Sequence, residues 1–316
     1  MKKERKSSWQ LQIFLGIVII VIIIICVVKL IKWDKSGDNV VMEDIAEGTY
    51  DYESLDVVFT VDKDILESHG YDDVNTILCI GNDIFSEKPN DVSIIDMISK
   101  MDDVEVVDLS VVSSQVTDKA NSYSSRDVSV WQAANLFEIV YALCNNDFSL
   151  QQAAAEQSVM IDADYCNKLS SVNMDEIDTV YIMYDSCDYR FSSILYDPED
   201  PYNTATYEGA YRAAVTTLQN AYPHLRIILG SPYMHAVILD ENVKPASEFS
   251  FGNGNLSEYV MRQYNIAMEC CISYEDNYFG LITEKNMNDY CNVNMLSDDG
   301  LQLIGKHIVE FLQRKY

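Results

Sequence analysis

Basic residues are scarce in this chain: 22 Lys and Arg stand against 50 Asp and Glu, a net charge of −28. A polyanion of this kind repels phosphate backbones, which argues against nucleic acid as a partner. Glycine and proline are few, at 12 and 6 of 316 residues, and this rules out collagen-like and low-complexity chains. No glycine lies between Gly81 and Gly209. Histidine occurs four times, at His69, His224, His235 and His307, so few imidazoles are on hand as bases. The eight cysteines form no CxxC pair. Cys26 falls in an apolar run, and the odd number that remains suits neither a disulfide framework nor a zinc site. What is present is 48% hydrophobic and long enough to bury a sizeable core.

Charge is also unevenly placed. Lys2, Lys3, Arg5, Lys6, Lys29, Lys32 and Lys35 put seven basic residues in the first 35, leaving 15 basic against 48 acidic in the rest. No charged residue occurs from Ser7 to Val28, and the stretch from Ile13 is apolar apart from Gly16 and Cys26. A run of about 20 such residues spans a bilayer as a helix. A cleaved signal peptide has a shorter apolar stretch and a small-residue cleavage site, whereas this run exits through Lys29-Leu30-Ile31-Lys32-Trp33. The expectation is a short basic cytoplasmic tail over 1–8 and an uncleaved single-pass anchor over 9–33. An acidic tether and lead-in covers 34–74, and the folded domain 75–316. Trp9 and Trp33 bracket the span, and the basic excess before it places the acidic body outside the plasma membrane.

Four short apolar runs, at 76–80, 104–109, 179–183 and 225–229, with a weaker fifth at 278–283, lack clean alternation. Such runs suit strands buried on both faces of a parallel sheet. Helical patterns separate them at 92–101, 128–143, 150–157, 204–221, 256–274 and 298–314, with Asn90-Asp91 and a Ser149-x-x-Gln152 capping box as start signals. This alternation predicts a three-layer α/β/α domain, flavodoxin-like in plan, with a five-stranded parallel sheet. Ligands in such folds bind at the carboxyl ends of the strands.

The segments at those ends are Gly81-Asn82-Asp83-Ile84, Asp185-Ser186-Cys187-Asp188 and Asn292-Val293-Asn294-Met295-Leu296-Ser297-Asp298-Asp299-Gly300. Their order and spacing, over roughly 75–314, resemble the SGNH (GDSL) hydrolase family. That family carries Gly-Asp-Ser-Ile after the first strand, a Gly after the second and Gly-x-Asn-Asp after the third. Asp-x-x-His, then Leu-Ser-x-x-Gly, precedes its last helix. The resemblance implies ester hydrolysis or acyl transfer on acylated carbohydrates or lipids, without a cofactor or metal. Yet the position of the nucleophilic Ser is Asp83 and that of the oxyanion-hole Asn is Cys187. The Asp and His fall on Asn292 and Met295, and the second-strand Gly has its place within 110–114.

Acyl transfer needs an activated hydroxyl and donors aimed at the developing oxyanion. Asp83 has no hydroxyl, Met295 takes no proton, and the carboxylates flanking Cys187 disfavour a thiolate. The expected role is therefore binding or regulation in the cell envelope, with a glycan or a protein as partner. The competing expectation is an active esterase or acyltransferase using residues outside the family pattern, with His235 as substitute base. The expected pocket comprises Gly81, Asn82, Asp83, Asp185, Cys187, Asp188 and Met295. Asp188 keeps a structural hydrogen-bonding role, and Asp83 reads most simply as a cap or turn residue. The acidic run Asp197-Pro198-Glu199-Asp200-Pro201 lacks the alternating ligands of a calcium loop. Tyr184, Tyr189, Tyr196, Tyr202, Tyr207 and Tyr211 serve either packing or sugar stacking.

Overall fold

Apolar runs become central strands where helices cover both faces of a sheet. The computed structural model describes residues 54–70, 74–86, 92–118, 132–157, 161–239, 242–292 and 295–314. Helix α1 (Lys63–His69) comes first, then strand β1 (Asn75–Gly81), the one-turn α2 (Asp83–Ser86), α3 (Ile94–Ile98) and β2 (Val104–Asp108). Helices α4 (Leu136–Asn145), α5 (Ser149–Ala155) and α6 (Ala163–Ser171) lead to β3 (Thr179–Met183), the one-turn α7 (Cys187–Arg190), α8 (Tyr207–Ala221) and β4 (Arg226–Gly230). A hairpin of β5 (Ala236–Leu239) and β6 (Asn242–Pro245) precedes α9 (Leu256–Glu269) and β7 (Ser273–Glu275). Short α10 (Met287–Tyr290), β8 (Cys291–Asn292) and β9 (Met295–Leu296) run into α11 (Asp298–Gln313).

The five-stranded sheet has the order β2-β1-β3-β4-β7, all neighbours parallel. This is the doubly wound plan with its switch point between β1 and β3. Ile77 to Ile80 and Val180 to Met183 are fully buried, because α3 and α11 pack together in one layer while α4, α8 and α9 form another. Gly81 closes β1 opposite Met183. A Cβ there would stand 2.0 Å from the Met183 carbonyl oxygen, so Gly81→Ala is expected to cost about 1–3 kcal/mol by forced overpacking. The urea midpoint measures this, and an unchanged midpoint would contradict the close approach.

Several expectations need correction. The fifth strand is Ser273–Glu275, not 278–283, and α9 ends at Glu269 rather than continuing to 274. Hydropathy misses β7 because it is three residues long and ends in buried Glu275, Asp276 and Asn277. Its outer edge is covered by the lead-in: Val57 exchanges both backbone hydrogen bonds with Tyr274, and Phe59 donates to Ser273 Oγ. The helix over 92–101 shortens to α3, capped by Ser93 with Asp96 in a reciprocal capping box. The 128–143 pattern becomes α4, capped by Asn135. Ser149 makes no capping box with Gln152, since the cap position is Phe148. The β5–β6 hairpin, α1 and α6 had no counterpart in the sequence reading. Asn90, Asp91 and the expected anchor over 9–33 lie outside the described residues. No described helix is long and apolar enough to cross a membrane.

Candidate functional site

The turns after β1, β2 and β3 meet at one end of the sheet. Asp83 opens α2, and its Oδ2 accepts the Ser113 backbone N–H at 2.7 Å. Ser113 has φ of 59°, a left-handed conformation that favours glycine, and it lies where the resemblance implies a Gly after the second strand. Asn82, fully buried, clasps the neighbouring turn in both directions. Its Nδ2 donates to Asp185 Oδ1 at 2.8 Å and to the Ser114 carbonyl at 3.1 Å, while its Oδ1 accepts the Asp185 N–H at 2.9 Å.

Asp185 is held equally firmly. Its Oδ1 accepts the Cys187 N–H at 2.8 Å, and its Oδ2 pairs with Arg190 Nη2 at 2.7 Å. The same Nη2 donates to Cys187 Sγ at 3.1 Å. Donor atoms of Asp83, Asp185 and Cys187 all lie within 4.8 Å of one another, which among the described residues is the grouping with metal-compatible spacing. Arg190 supplies positive charge to that grouping, and both Asp185 oxygens are engaged. Burial, helped by Asp185, pushes the Cys187 thiol far above its usual range. It is therefore a protonated thiol rather than a thiolate nucleophile. Burial also raises the Asp83 carboxyl, opposed by the Ser113 N–H and reinforced by Asp185.

Asp188 does the structural work expected of it. It is 1% exposed, and it accepts from the Val116 N–H (2.8 Å), the Thr117 N–H (3.3 Å), the Thr117 hydroxyl (2.9 Å) and the Ser193 hydroxyl (2.8 Å). Burial raises its carboxyl and these four donors pull it down. The turn after β2 is thereby tied to α7.

The segment before the last helix, where the resemblance puts the family's Asp and His, folds as the β8–β9 hairpin. Asn292 and Met295 are register partners in the β8–β9 hairpin, and Met295 is 52% exposed and takes part in none of the hydrogen bonds around Asp83. The frame of that segment nonetheless folds as expected: Ser297 caps α11 by accepting the Gly300 N–H, and Gly300 sits against the Tyr290 carbonyl. Asp83, Asp185 and Cys187 thus come together, whereas Met295 is not bonded into their group.

One pair was missed. Ser186 Oγ lies 3.2 Å from His235 Nε2, and both residues are buried. The His235 Nδ1 faces the Tyr233 carbonyl at 3.3 Å. A carbonyl only accepts, so Nδ1 carries the hydrogen and the Nε2 lone pair receives the Ser186 hydroxyl. Burial drives this imidazole down to about 4, and Arg190 adds to that. Ser186 stood within a segment already singled out. Ser186 follows β3 and His235 follows β4, so strand order places both at one end of the sheet; their direct contact is what a separation of 49 residues does not show.

Of the six tyrosines, Tyr184, Tyr189, Tyr207 and Tyr211 are buried, with edge-on contacts such as Tyr207–Tyr211 and Tyr207–Tyr259. Tyr196 and Tyr202 are exposed, and Arg262 lies 4.2 Å over the Tyr196 ring. Asp197 accepts from the Glu199 N–H, the Asp200 N–H and Asn203 Nδ2, so its loop is internally satisfied.

No protein-family model matches the chain, and no curated protein matches it in sequence. Solved structures do. One superposes with a TM-score of 0.53 at 12% identity, covering 76% of this chain and 97% of the other. The lipase/acylhydrolase from Enterococcus faecalis gives 0.42 at 12% identity, covering 76% and 96%. Est24, a carbohydrate acetylesterase from Sinorhizobium meliloti, gives 0.44 at 13% identity, covering 77% and 100%. With the parallel strand order β2-β1-β3-β4-β7, the likeness is one of scaffold: the described residues have a three-layer, doubly wound α/β fold.

Proposed function

We propose that this chain presents a non-hydrolytic SGNH-like domain outside the membrane, anchored by its amino-terminal apolar segment, as a binding or regulatory module of the cell envelope. The carrying observation is the 2.7 Å bond from the Ser113 N–H to Asp83 Oδ2. A backbone N–H aimed at this place is the kind of donor that stabilises an oxyanion, and here it is already taken by a carboxylate. Any negative charge developing beside Asp83 would meet repulsion instead. The imidazole bonded to Ser186, between Asp185 and Cys187, is that of His235, which burial holds near 4 and leaves a weak base at neutral pH. Tyr196 and Tyr202 offer exposed rings for contact with a glycan.

A second reading rests on the Ser186–His235 contact: an esterase or acyltransferase with a displaced nucleophile and base. Against it stand the burial of both residues and an imidazole held near 4, a weak base at neutral pH. The full chain should turn over an activated acetyl ester at background rate, unchanged in Asp83→Ala, Ser186→Ala and His235→Ala. Turnover that disappears in Ser186→Ala and His235→Ala together would establish the second reading and remove the first.

A further inference from the structure

The amino-terminal ends of the strands, opposite Asp83, hold another pair of histidines. Helix α1 buries none of its residues, yet its last residue is pinned to the body. His69 stacks on His224 with ring centroids 3.5 Å apart and planes 11° from parallel. His69 Nε2 meets the Asp175 carbonyl at 2.9 Å, His224 Nε2 meets the Ile177 carbonyl at 3.2 Å, and the Tyr222 ring packs edge-on against His224. Both Nε2 atoms face acceptors, so both carry hydrogen, and each Nδ1 is the place where a further proton enters. Two neutral imidazoles stack without charge conflict. Two imidazoliums 3.5 Å apart repel each other.

The surrounding charges modulate this. Asp175 and Asp178, from the turn before β3, favour a proton on His224, while burial and His69 oppose it and prevail. Helix α1 carries Asp62 at its cap, Asp64, and the exposed Lys63–Glu67 pair. From the body, Tyr222 closes α8 and Cys144 of α4 faces that tyrosine. Next to the stack, Phe59, Ile65, Tyr222, Leu225, Ile227 and Ile272 line a groove of about 280 Å³ between α1 with its lead-in and the starts of β4 and β7. Ile65 belongs to α1, and Tyr222 is common to the groove and the stack.

We infer that the His69–His224 stack is an acid-operated latch, whose protonation releases α1 and opens the groove beneath it. The sign follows from linkage. His224 binds its proton less readily in the folded chain than a free histidine does, so docking is strongest above the ordinary value of 6.5 and weakens as pH falls below it. Hydrogen exchange on the full chain, corrected for intrinsic rates, tests this at residues 63–69. Protection there should fall about tenfold between about pH 7.5 and 5.5, the scale of one proton's linkage per pH unit. His224→Phe, which keeps a stacking ring and removes the nitrogen that docking makes harder to protonate, should hold protection level across the same range. Native protection of β1 and β3 at about pH 7.5 reports that this variant is folded. Equal protection of the wild-type chain at both pH values overturns the latch, as does the same pH dependence in folded His224→Phe. Concurrent loss of protection in β1 and β3 would indicate general acid unfolding and would also overturn it.

Discussion

His307→Ala is expected to destabilise the domain by about 3–5 kcal/mol, the cost of removing one partner from a buried ion pair. His307, on α11, reaches Glu275 Oε1 at 2.7 Å through Nδ1 and Asp56 Oδ2 at 3.2 Å through Nε2. Glu275 is 0% exposed, and its other oxygen accepts from the Tyr181 hydroxyl at 2.9 Å and from the Asn277 amide. Asp56 is also held by Arg314 at 2.7 Å and by the Asp276 N–H at 2.8 Å. Removing the imidazole leaves two carboxylates facing each other, one of them without access to water. The network joins the lead-in to the edge strand and to the last helix, so a thermal scan should register a drop of roughly 6–20 °C.

The same network sets the pH response. Burial lowers the His307 imidazole, but Asp56 and Glu275 outweigh it and lift it to about 10. A raised histidine contributes stability fully present below its ordinary value of 6.5 and lost as pH climbs through about 10. Burial raises the Asp56 carboxyl, but hydrogen bonds from His307, the Asp276 N–H and Arg314 bring it down to about 2. That contribution is present above 3.8 and is lost as pH falls through about 2. Urea midpoints should therefore decline from pH 6.5 towards 10 in the wild-type chain, with a much flatter alkaline limb in His307→Gln. A wild-type midpoint that holds level over that range would show that the imidazole is not charged in the fold.

Asp188→Ala is the second large effect. The substitution strands four donors at once: the N–H groups of Val116 and Thr117 and the hydroxyls of Thr117 and Ser193. The two hydroxyls lie 3.1 Å apart and can satisfy each other, which leaves the two buried N–H groups. At about 1–3 kcal/mol for each orphaned donor, the loss is roughly 2–6 kcal/mol. Asp188→Asn keeps one acceptor oxygen and should lie between. Because the same loop carries Ser113 to Asp83, the alanine variant should also lose amide protection over residues 109–118 ahead of the central strands. An Asp188→Ala midpoint within experimental error of wild type would mean that these donors find water, and that the turn is not anchored by this carboxylate.

Most of the scaffold could be read from residue order, because β1, β3, β4 and α11 each carry a continuous apolar pattern that their local period displays. The fifth strand escaped because Glu275, Asp276 and Asn277 read as surface residues. Their burial makes sense only with His307 and Asp56 beside them, and those lie thirty or more residues to one side and more than two hundred to the other. Residue pattern also located Asp83, Asp185 and Cys187 at one end of the sheet, since turns after parallel strands must gather there. It left open the place of Met295, which is set by the β8–β9 hairpin. It did not foresee Ser186 against His235, or His69 against His224, because neither pair shares an element whose period could bring them together.

The amino-acid sequence alone determined the doubly wound class, the acidic balance of the chain and which residues follow each strand, since each is a property of residue identity and short-range spacing. Tertiary structure decided which polar groups are buried, which carboxylates are neutralised by a cation and which histidines lie against each other. Those outcomes depend on desolvation and through-space distance, which become defined only when strands and helices distant in the chain are packed together.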